Sequence, residues 1–354
     1  MQYLAIASLL VSLVSGVAID LAARDSPLSV AIEVVGNSEV KATVTNNGGE
    51  ALKLLKAGSI LDSQAVEKTE VTTSDSKIQF DGLRLTIATH GLPDDAFVTI
   101  AAGGTLSAQF DVAAVHDLGA GGAFSITSTG AFSYAAEGSN DISGAVPFSS
   151  NTVTANVDGA AAAVVRRDFH ARLLQKRTAV QSDCTGTRRT ATTNAVSACR
   201  SLAAQASSAA ASGSAAKMTE YFKSSTSSTR STVAQVFARV ASECGSTTGG
   251  NSRLYCSDVL SACSSGVLAY TQPSTSIMVN CPLYYSALPA LSRTCHAQDQ
   301  ATTTLHEATH LRQVAGTDDF GVYGYAAVQR LSAAQNLRHA DTYTLFAQSI
   351  YAGC

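Results

Sequence analysis

All eight cysteines of this 354-residue chain lie in its second half. The first is Cys184 and the last is the C-terminal residue, Cys354. An even number of cysteines in an exported protein predicts a disulfide framework in which every cysteine is paired. The irregular spacing, without a C-x-x-C pair, argues against zinc bound by these cysteines. The chain therefore divides into a cysteine-free region and a disulfide-stabilised region.

The N-terminus predicts the export that a disulfide framework requires. Residues 1–18, MQYLAIASLLVSLVSGVA, form an apolar run that ends in small residues, which is typical of a secretory signal cleaved near Ala18. The alternative is a membrane anchor, for which the run is short and early. We therefore expect a secreted, extracellular protein without a membrane partner. The net charge of −3 argues neither for nor against a nucleic-acid partner, and none is expected.

Residues 19–165 alternate polar and apolar side chains over short runs separated by turn formers such as Asn46-Asn47-Gly48-Gly49. This period of two predicts β-strands, arranged as a small sandwich. The region contains no catalytic constellation, and His90 and His116 are interpreted as ordinary surface or core histidines.

Two dibasic pairs, Arg166-Arg167 and Lys176-Arg177, lie in a basic linker before the first cysteine. In an exported protein, Lys176-Arg177 predicts cleavage by a processing protease, which would release residues 178–354 and leave residues 19–177 as a pro-segment. The alternative is an uncut linker between two domains. Residues 178–354 contain 12 Lys+Arg and 9 Asp+Glu, so they carry +3 and the rest carries −6. These opposite charges favour a pro-segment that docks on its enzyme.

The second region has mainly helical patterns, at residues 190–211 and 231–243. Residues 267–280 predict a short β-hairpin around Pro273. Further helices are predicted from residue 299 to about 315 and over residues 326–351. The expected fold class is α+β, with a β-rich pro-domain followed by a mainly helical domain with a small hairpin and disulfides.

Residues 306–310 read His-Glu-Ala-Thr-His, a complete H-E-x-x-H motif. Positions four apart lie on one face of a helix, so His306 and His310 can bind one metal ion. Glu307 can then act on a water molecule at that metal. The alternative interpretation is a helix with two surface histidines.

A catalytic zinc usually has three protein ligands, so a third is needed. No glutamate follows His310, which excludes a downstream glutamate ligand. The metzincin pattern needs glycine and histidine three and six residues after the second histidine, where this chain has Gln313 and Gly316. Gly316 also predicts the end of the helix. The remaining downstream candidates are Asp318, Asp319, His339 and Asp341.

These residues resemble the deuterolysins, or aspzincins, a family of secreted fungal neutral zinc endopeptidases. In that family, H-E-x-x-H is followed by Gly-Thr-x-Asp and Tyr-Gly, which correspond here to residues 316–319 and 323–324. The signal, the long pro-segment, the Lys-Arg junction and the C-terminal cysteine also match the family layout. One departure is that three residues, 320–322, separate the aspartate from Tyr-Gly instead of two. The resemblance implies a zincin catalytic domain over residues 178–354.

The resemblance also implies the roles of the site residues. One zinc ion is expected to be held by His306, His310 and Asp319, with Glu307 as the general base. Asp341 is the alternative third ligand. If it is not a ligand, its carboxylate is expected to accept a hydrogen bond from a ligand imidazole.

The oxyanion of the tetrahedral intermediate needs a donor besides zinc, for which a tyrosine is the natural candidate. The resemblance indicates the 281–285 segment or Tyr323, and Tyr284 is preferred. Asp318 and His339 are expected at the surface.

Two disulfides are implied by the resemblance, and the other two are expected from the cysteines that remain. The pairs are Cys184–Cys256 and Cys263–Cys281, then Cys199–Cys244 and Cys295–Cys354.

The expected partners are protein and peptide substrates, with a preference for basic ones, and the chain's own pro-segment before processing. We expect a monomer. The alternative function is an exported, inactive binding or effector protein with the same fold, which would be expected to have lost Glu307 or a ligand.

Overall fold

The computed structural model describes residues 26–171 and 180–354. The predicted signal, residues 1–18, and the Lys176-Arg177 pair lie outside the described residues. Among the described helices, none has the length and apolar character needed to cross a membrane.

The first region is built from β-strands. In chain order they are β1 (Leu28–Val34), β2 (Glu39–Asn46), β3 (Leu52–Leu55), β4 (Glu70–Thr72), β5 (Arg84–Ile87), β6 (Phe97–Ile100), β7 (Thr105–Asp111), β8 (Gly122–Ala135) and β9 (Ile142–Val157). One sheet has the order β1-β2-β7 and a second has the order β4-β8-β3-β6, with β9 paired to β8. Strands β1 and β2 bury every second residue along most of their length, as the period-two pattern predicts. Both sheets contribute to one apolar core, which includes Val44 and Phe132.

Helix α1 (Gly159–Ala171) follows β9 and contains the first dibasic pair, Arg166-Arg167. The Arg166 guanidinium forms an ion pair with Asp81. The same carboxylate pairs with Arg312 of the second region. Asp81 therefore connects the linker helix to the segment that follows the H-E-x-x-H motif.

The second region contains helices and three short strands. They are α2 (Gly186–Ser212), α3 (Ala215–Phe222), α4 (Ser227–Glu243), β10 (Arg253–Tyr255), β11 (Val267–Gln272), β12 (Ile277–Asn280), α5 (Pro282–Ala287), α6 (Gln300–His310), α7 (Tyr325–Val328), α8 (Ala333–Asn336) and α9 (Ala340–Ala352). The helices predicted at residues 190–211 and 231–243 lie within α2 and α4. The predicted hairpin is formed by β11 and β12, which pair antiparallel.

Two helix predictions were wrong in extent. Helix α6 ends at His310 because Leu311 leaves the helical conformation, with ψ at 132°. The single helix predicted over residues 326–351 is instead α7, α8 and α9. A capping box at Ser332 begins α8, and the N–H of Ala340 at the start of α9 donates to the Asp318 carbonyl. The breaks therefore arise from caps and from a contact with the loop after α6.

The helices enclose an apolar core in which aromatic rings from α3, α4 and α9 pack together, including Phe222, Phe237 and Phe346. Four disulfides reinforce this region, and they join the same pairs as those expected from the sequence. The bridges are Cys184–Cys256, Cys199–Cys244, Cys263–Cys281 and Cys295–Cys354. A bridge of this kind typically contributes about 2–4 kcal/mol to stability.

A third sheet joins the two regions. Its order is β10-β12-β11-β5, so the short strand β5 of the first region pairs with β11 of the second. The pairing is antiparallel, with Leu85 opposite Tyr270 and Thr86 opposite Ala269. Side chains from both strands enter one apolar cluster. The two regions therefore share both backbone hydrogen bonds and a core next to the H-E-x-x-H helix.

Candidate metal centre

Helix α6 is buried along its whole length. Its N-terminus is capped by Asp299, whose side chain accepts a hydrogen bond from the backbone N–H of Thr302 at 2.7 Å. The Thr302 hydroxyl oxygen in turn accepts a hydrogen bond from the backbone N–H of Asp299, which completes a capping box. A buried helix with polar side chains requires partners for each of them, because an unpaired buried polar group is costly.

Three side chains bring one donor atom each into a single cluster. The Nε2 atoms of His306 and His310 lie 3.2 and 3.3 Å from Oδ1 of Asp319. All three ligand atoms lie within 4.8 Å of one another, and none has a hydrogen-bond partner. In a tetrahedral site with zinc–ligand distances of about 2.0–2.2 Å, any two ligand atoms lie about 3.3–3.6 Å apart. The two histidine–aspartate separations therefore match a zinc site, and two imidazoles with one carboxylate are a donor set that suits zinc.

The far side of each imidazole is fixed by a hydrogen bond. His306 Nδ1 donates to Asp341 Oδ1 at 2.8 Å, and His310 Nδ1 donates to the Thr317 carbonyl at 2.9 Å. Because both acceptors are oxygens, the proton of a neutral ring is held on Nδ1 and the Nε2 lone pair is directed at the cluster. This is the tautomer that a metal at Nε2 needs.

The loop after α6 folds Asp319 back onto the histidines. Gly316 makes the turn with φ of +59°. The loop is then anchored by the N–H of Asp318, which donates to the Arg338 carbonyl at 2.6 Å. Phe320 and Gly321, which follow Asp319, also have positive φ, at 54° and 70°.

Burial and charge act in opposite directions on the pKa values of the metal-free cluster. Burial lowers the pKa of His306, but the carboxylates of Asp319 and Asp341 outweigh it and raise that pKa to about 10. Burial raises the pKa of Asp319, yet His310 and His306 hold it well below its usual range. The site therefore keeps Asp319 ionised, as a metal ligand must be.

Glu307 is fully buried beside this cluster, and both of its carboxylate oxygens accept short hydrogen bonds. The Thr86 hydroxyl donates to Oε1 at 2.5 Å, and the Thr271 hydroxyl donates to Oε2 at 2.6 Å. Burial raises the pKa of Glu307, and the neighbouring His306 and His310 only partly offset this. A buried carboxylate with a raised pKa next to a metal site is suited to accept and return a proton near neutral pH.

Comparison with known families agrees with this geometry. A model of the deuterolysin metalloprotease (M35) family matches residues 1–354, the whole chain. The chain belongs to the deuterolysin family.

A deuterolysin assignment is consistent with the relatives that align over nearly the full length. A neutral protease 2 homolog from Colletotrichum graminicola is 60% identical over 348 residues, covering 98% of each chain. Another from Phaeosphaeria nodorum is 57% identical over 356 residues, covering 100% of this chain and 99% of the relative. Among solved structures, a zinc peptidase from Grifola frondosa is 24% identical, covers 47% of this chain and 97% of that chain, and gives a TM-score of 0.40. The family match over the whole chain and the full-length relatives confirm the predicted zinc metalloendopeptidase.

The two tyrosines considered as oxyanion donors lie in different surroundings in this deuterolysin. Tyr284 donates from its hydroxyl to the Gln300 carbonyl at 3.1 Å and also contacts the Thr304 hydroxyl. The hydroxyl of Tyr323 is buried without a hydrogen-bond partner. Burial raises the pKa of Tyr323 well above its usual range, with Asp319 contributing next. The structure therefore leaves the Tyr323 hydroxyl unpaired in a residue that lines the same cavity as Asp319, whereas the Tyr284 hydroxyl is engaged by helix α6.

Two residues expected at the surface are buried, so that expectation was wrong. The Asp318 carboxylate pairs with Arg84 of the first region at 2.7 Å and with Arg338. His339 has no exposed surface, and its Nε2 donates to the carbonyls of Asp319 and Val322 at 3.1 and 3.0 Å. Both side chains therefore hold the loop that presents Asp319.

Two further histidines of this deuterolysin have the ordinary surface and core positions expected of them. His116 is buried against Phe80 and His90 is exposed, and neither joins the donor cluster. Thr271, which contacts Glu307, could not be found from the sequence, because a threonine in a strand carries no chemical signature. Thr317 was visible only as part of the Gly-Thr-x-Asp pattern.

Proposed function

We propose that this chain is exported as a zymogen and is cut after Arg177, and that residues 178–354 then act as the zinc endopeptidase. Residues 1–18 would serve as the signal and residues 19–177 as the pro-segment. The four disulfides support passage through an oxidising compartment, since such bonds persist mainly in exported proteins.

The choice of processing site is supported by the conformation of the first dibasic pair. Arg166-Arg167 lies inside α1, and Arg166 is engaged by Asp81. A processing protease needs an exposed, flexible segment at its cleavage site. A helical, ion-paired dibasic site is therefore a poor substrate, which favours Lys176-Arg177.

The observation that carries the proposed activity is the Glu307 carboxylate, buried beside the donors of His306, His310 and Asp319. We assign these three as the zinc ligands. When bound, zinc would supply Lewis-acid chemistry, polarising the scissile carbonyl and lowering the pKa of water. Glu307 accepts the proton of the attacking water at its carboxylate and returns it to the leaving amine.

The neighbouring groups keep these residues in position. Asp341 and Thr317 orient His306 and His310 through their Nδ1 protons. Thr271 holds one oxygen of Glu307. Tyr323 is the better candidate for the oxyanion donor, because its hydroxyl is unpaired and it lines the same cavity as Asp319, whereas the Tyr284 hydroxyl is already engaged.

Protein and peptide substrates follow from endopeptidase activity. A preference for basic substrates is supported by Arg84, whose guanidinium is held by Asp318 beside the metal cluster. Departure of the pro-segment would remove Arg84 from Oδ1 of Asp318, while Oδ2 would stay paired with Arg338. We propose that Oδ1 then accepts a basic side chain of a substrate.

The alternative, an inactive binding or effector protein, gains no support from the site. Such a descendant would be expected to have lost the base or a metal ligand, whereas His306, Glu307, His310 and Asp319 are all present, and the three proposed ligands lie together. We also propose a monomer without nucleic-acid or membrane partners.

Hydrolysis of casein by the chain processed after Arg177 tests the proposed function. We expect cleavage that a zinc chelator abolishes and added zinc restores. Casein cleavage that persists after zinc has been removed would contradict the proposal. An inactive but zinc-loaded, processed chain would favour the binding-protein alternative.

A further inference from the structure

Strand β11 of the catalytic half has an edge that only β5 covers in the described parts of the chain. The sheet order is β10-β12-β11-β5, so removal of residues 26–171 would leave the β11 edge unpaired. Unpaired backbone N–H and C=O groups at such an edge are a template for an extended peptide. This edge runs beside Glu307, since Thr271 of β11 contacts the glutamate.

The β5 strand occupies this edge as an extended peptide would. Arg84 lies opposite Thr271, Leu85 opposite Tyr270 and Thr86 opposite Ala269 in an antiparallel register. The side chains of Leu85 and Ile87 enter the apolar cluster that β11 and β12 also line. Backbone pairing and apolar burial together fix the position of β5 over the metal cluster.

Two contacts of β5 fall on the catalytic carboxylates. The Thr86 hydroxyl donates to Glu307 Oε1 at 2.5 Å, while Thr271 already donates to Oε2. The N–H of Leu85 lies 3.3 Å from Asp319 Oδ2, the oxygen that the metal cluster does not use. Because Thr271 belongs to the catalytic half and stays on Oε2, the Thr86 hydroxyl occupies the other oxygen, Oε1, from which Glu307 could accept a proton from water.

The neighbouring Arg84 anchors the strand by charge. Its guanidinium pairs with Asp318 at 2.7 Å and with Glu67 at 2.5 Å, and it lies over the ring of Phe80. The arginine side chain is largely buried, so these charge-assisted hydrogen bonds are shielded from solvent. The anchor sits two residues before Thr86 and therefore limits movement of Thr86 away from Glu307.

From these contacts we propose that the β11 edge is a docking edge for extended polypeptide and that β5 is its occupant in the zymogen. The Thr86 hydroxyl blocks the general base directly. This inference rests on the proposed function, because it assumes that Glu307 is the base. It adds that inhibition comes from a specific strand and hydroxyl, and that the excised pro-segment remains an inhibitor until it dissociates.

The test uses the zinc-loaded full chain, cut after Arg177 by a protease specific for Lys-Arg pairs. The two pieces are then diluted in steps, and both co-elution on size exclusion and cleavage of a short fluorogenic peptide are measured. We compare the wild type with Thr86→Val, which keeps the shape but removes the hydroxyl. Thr86→Ser restores the hydroxyl, and Thr99→Val makes the same change at an exposed position of β6.

We expect the wild-type pieces to stay together and latent at high concentration and to become active as they separate. For Thr86→Val, the concentration at which half of the two-piece complex has dissociated should rise about tenfold or more, because a hydrogen bond to a charged group is lost. Thr86→Ser and Thr99→Val should behave like the wild type. An unchanged midpoint for Thr86→Val would overturn the inference. If the separated wild-type pieces had no activity, the proposed function would be overturned instead. The co-elution of the two pieces, compared between the wild type and Thr86→Val, would still test the role of Thr86.

Discussion

The imidazole of His306 lies between two carboxylates, with Nδ1 bonded to Asp341 at 2.8 Å and Nε2 facing Asp319 at 3.2 Å. The Asp341 contact uses the ring nitrogen that a metal would not, and its other oxygen accepts the N–H of Gly324 at 2.7 Å. Both oxygens of Asp341 are therefore engaged in orienting His306 and the loop, which supports our proposal that Asp319 is the third ligand.

Substitution of each aspartate in the processed chain should separate these roles. We expect Asp319→Ala to lose zinc, because only two protein ligands remain. Asp341→Ala should retain zinc with an affinity about 10–100-fold lower, as for other residues that orient a metal-bound histidine. Equilibrium dialysis against buffered zinc measures both. Retention of zinc by Asp319→Ala together with its loss from Asp341→Ala would mean that Asp341 is the ligand.

Zinc binding should release about one proton at pH 7. The pKa of His306 is raised to about 10 in the metal-free chain, so its ring is protonated, whereas a ligand imidazole must be neutral. Calorimetric titration with zinc in buffers of different ionisation enthalpy measures the release. Asp341→Asn should lower the pKa of His306, so zinc binding to this variant should release fewer protons than zinc binding to the wild type. Equal apparent enthalpies in all buffers would contradict the assignment.

The same raised pKa predicts how stability depends on pH without metal. The folded chain binds the His306 proton more tightly than the unfolded chain, whose imidazole titrates near 6.5. The stabilisation from this group is therefore complete below about pH 6.5 and is lost as the pH rises through about 10. Urea unfolding of the metal-free chain should show a free energy of unfolding that falls as the pH rises across this range. The His306→Gln variant should lack this part of the pH dependence.

The two tyrosines should respond differently to loss of the hydroxyl. Tyr323→Phe should lower kcat by about 10²–10³, the usual effect of removing one oxyanion donor, with little change in KM. Tyr284→Phe should leave kcat unchanged and lower the free energy of unfolding by about 0.5–1.5 kcal/mol, because its bonds to helix α6 are lost. Peptide kinetics and urea unfolding of both variants measure this. A kcat defect confined to Tyr284→Phe would reverse the assignment.

The C-terminal bridge should matter more for stability than the bridge beside the hairpin. Cys295 and Cys354 are 59 positions apart, and Cys263 and Cys281 are 18 apart. In the chain-entropy description, the longer loop makes its bridge worth about 1 kcal/mol more. Denaturant unfolding of the two double Cys→Ser variants compares them. Equal losses would show that strain or residual structure outweighs loop entropy.

The sequence was most informative where chemistry demands a fixed spacing. His306, Glu307 and His310 are defined by an i, i+4 pattern on one helix, and the Gly-Thr-x-Asp resemblance selected Asp319. The strand pattern of the first region was also recognisable, because β1 and β2 each bury one face.

What the sequence missed depends on contacts between distant residues. Asp318 looked like a surface carboxylate because its partner, Arg84, lies 234 positions earlier. The residues after 325 have helical composition throughout, but the Asp318–Ala340 backbone contact and the cap at Ser332 divide them. Thr86 and Thr271 gain meaning only when β5 and β11 pair over Glu307.

The catalytic role of Glu307 is tested most directly by the turnover number of processed, zinc-loaded Glu307→Gln. The substitution keeps the size of the side chain and leaves all three proposed ligands, so the variant should bind one zinc. We expect its turnover of a peptide substrate to fall about 10²–10⁴-fold, the usual contribution of general acid–base catalysis. Turnover equal to that of the wild type, at the same zinc content, would contradict the assignment of Glu307 as the base.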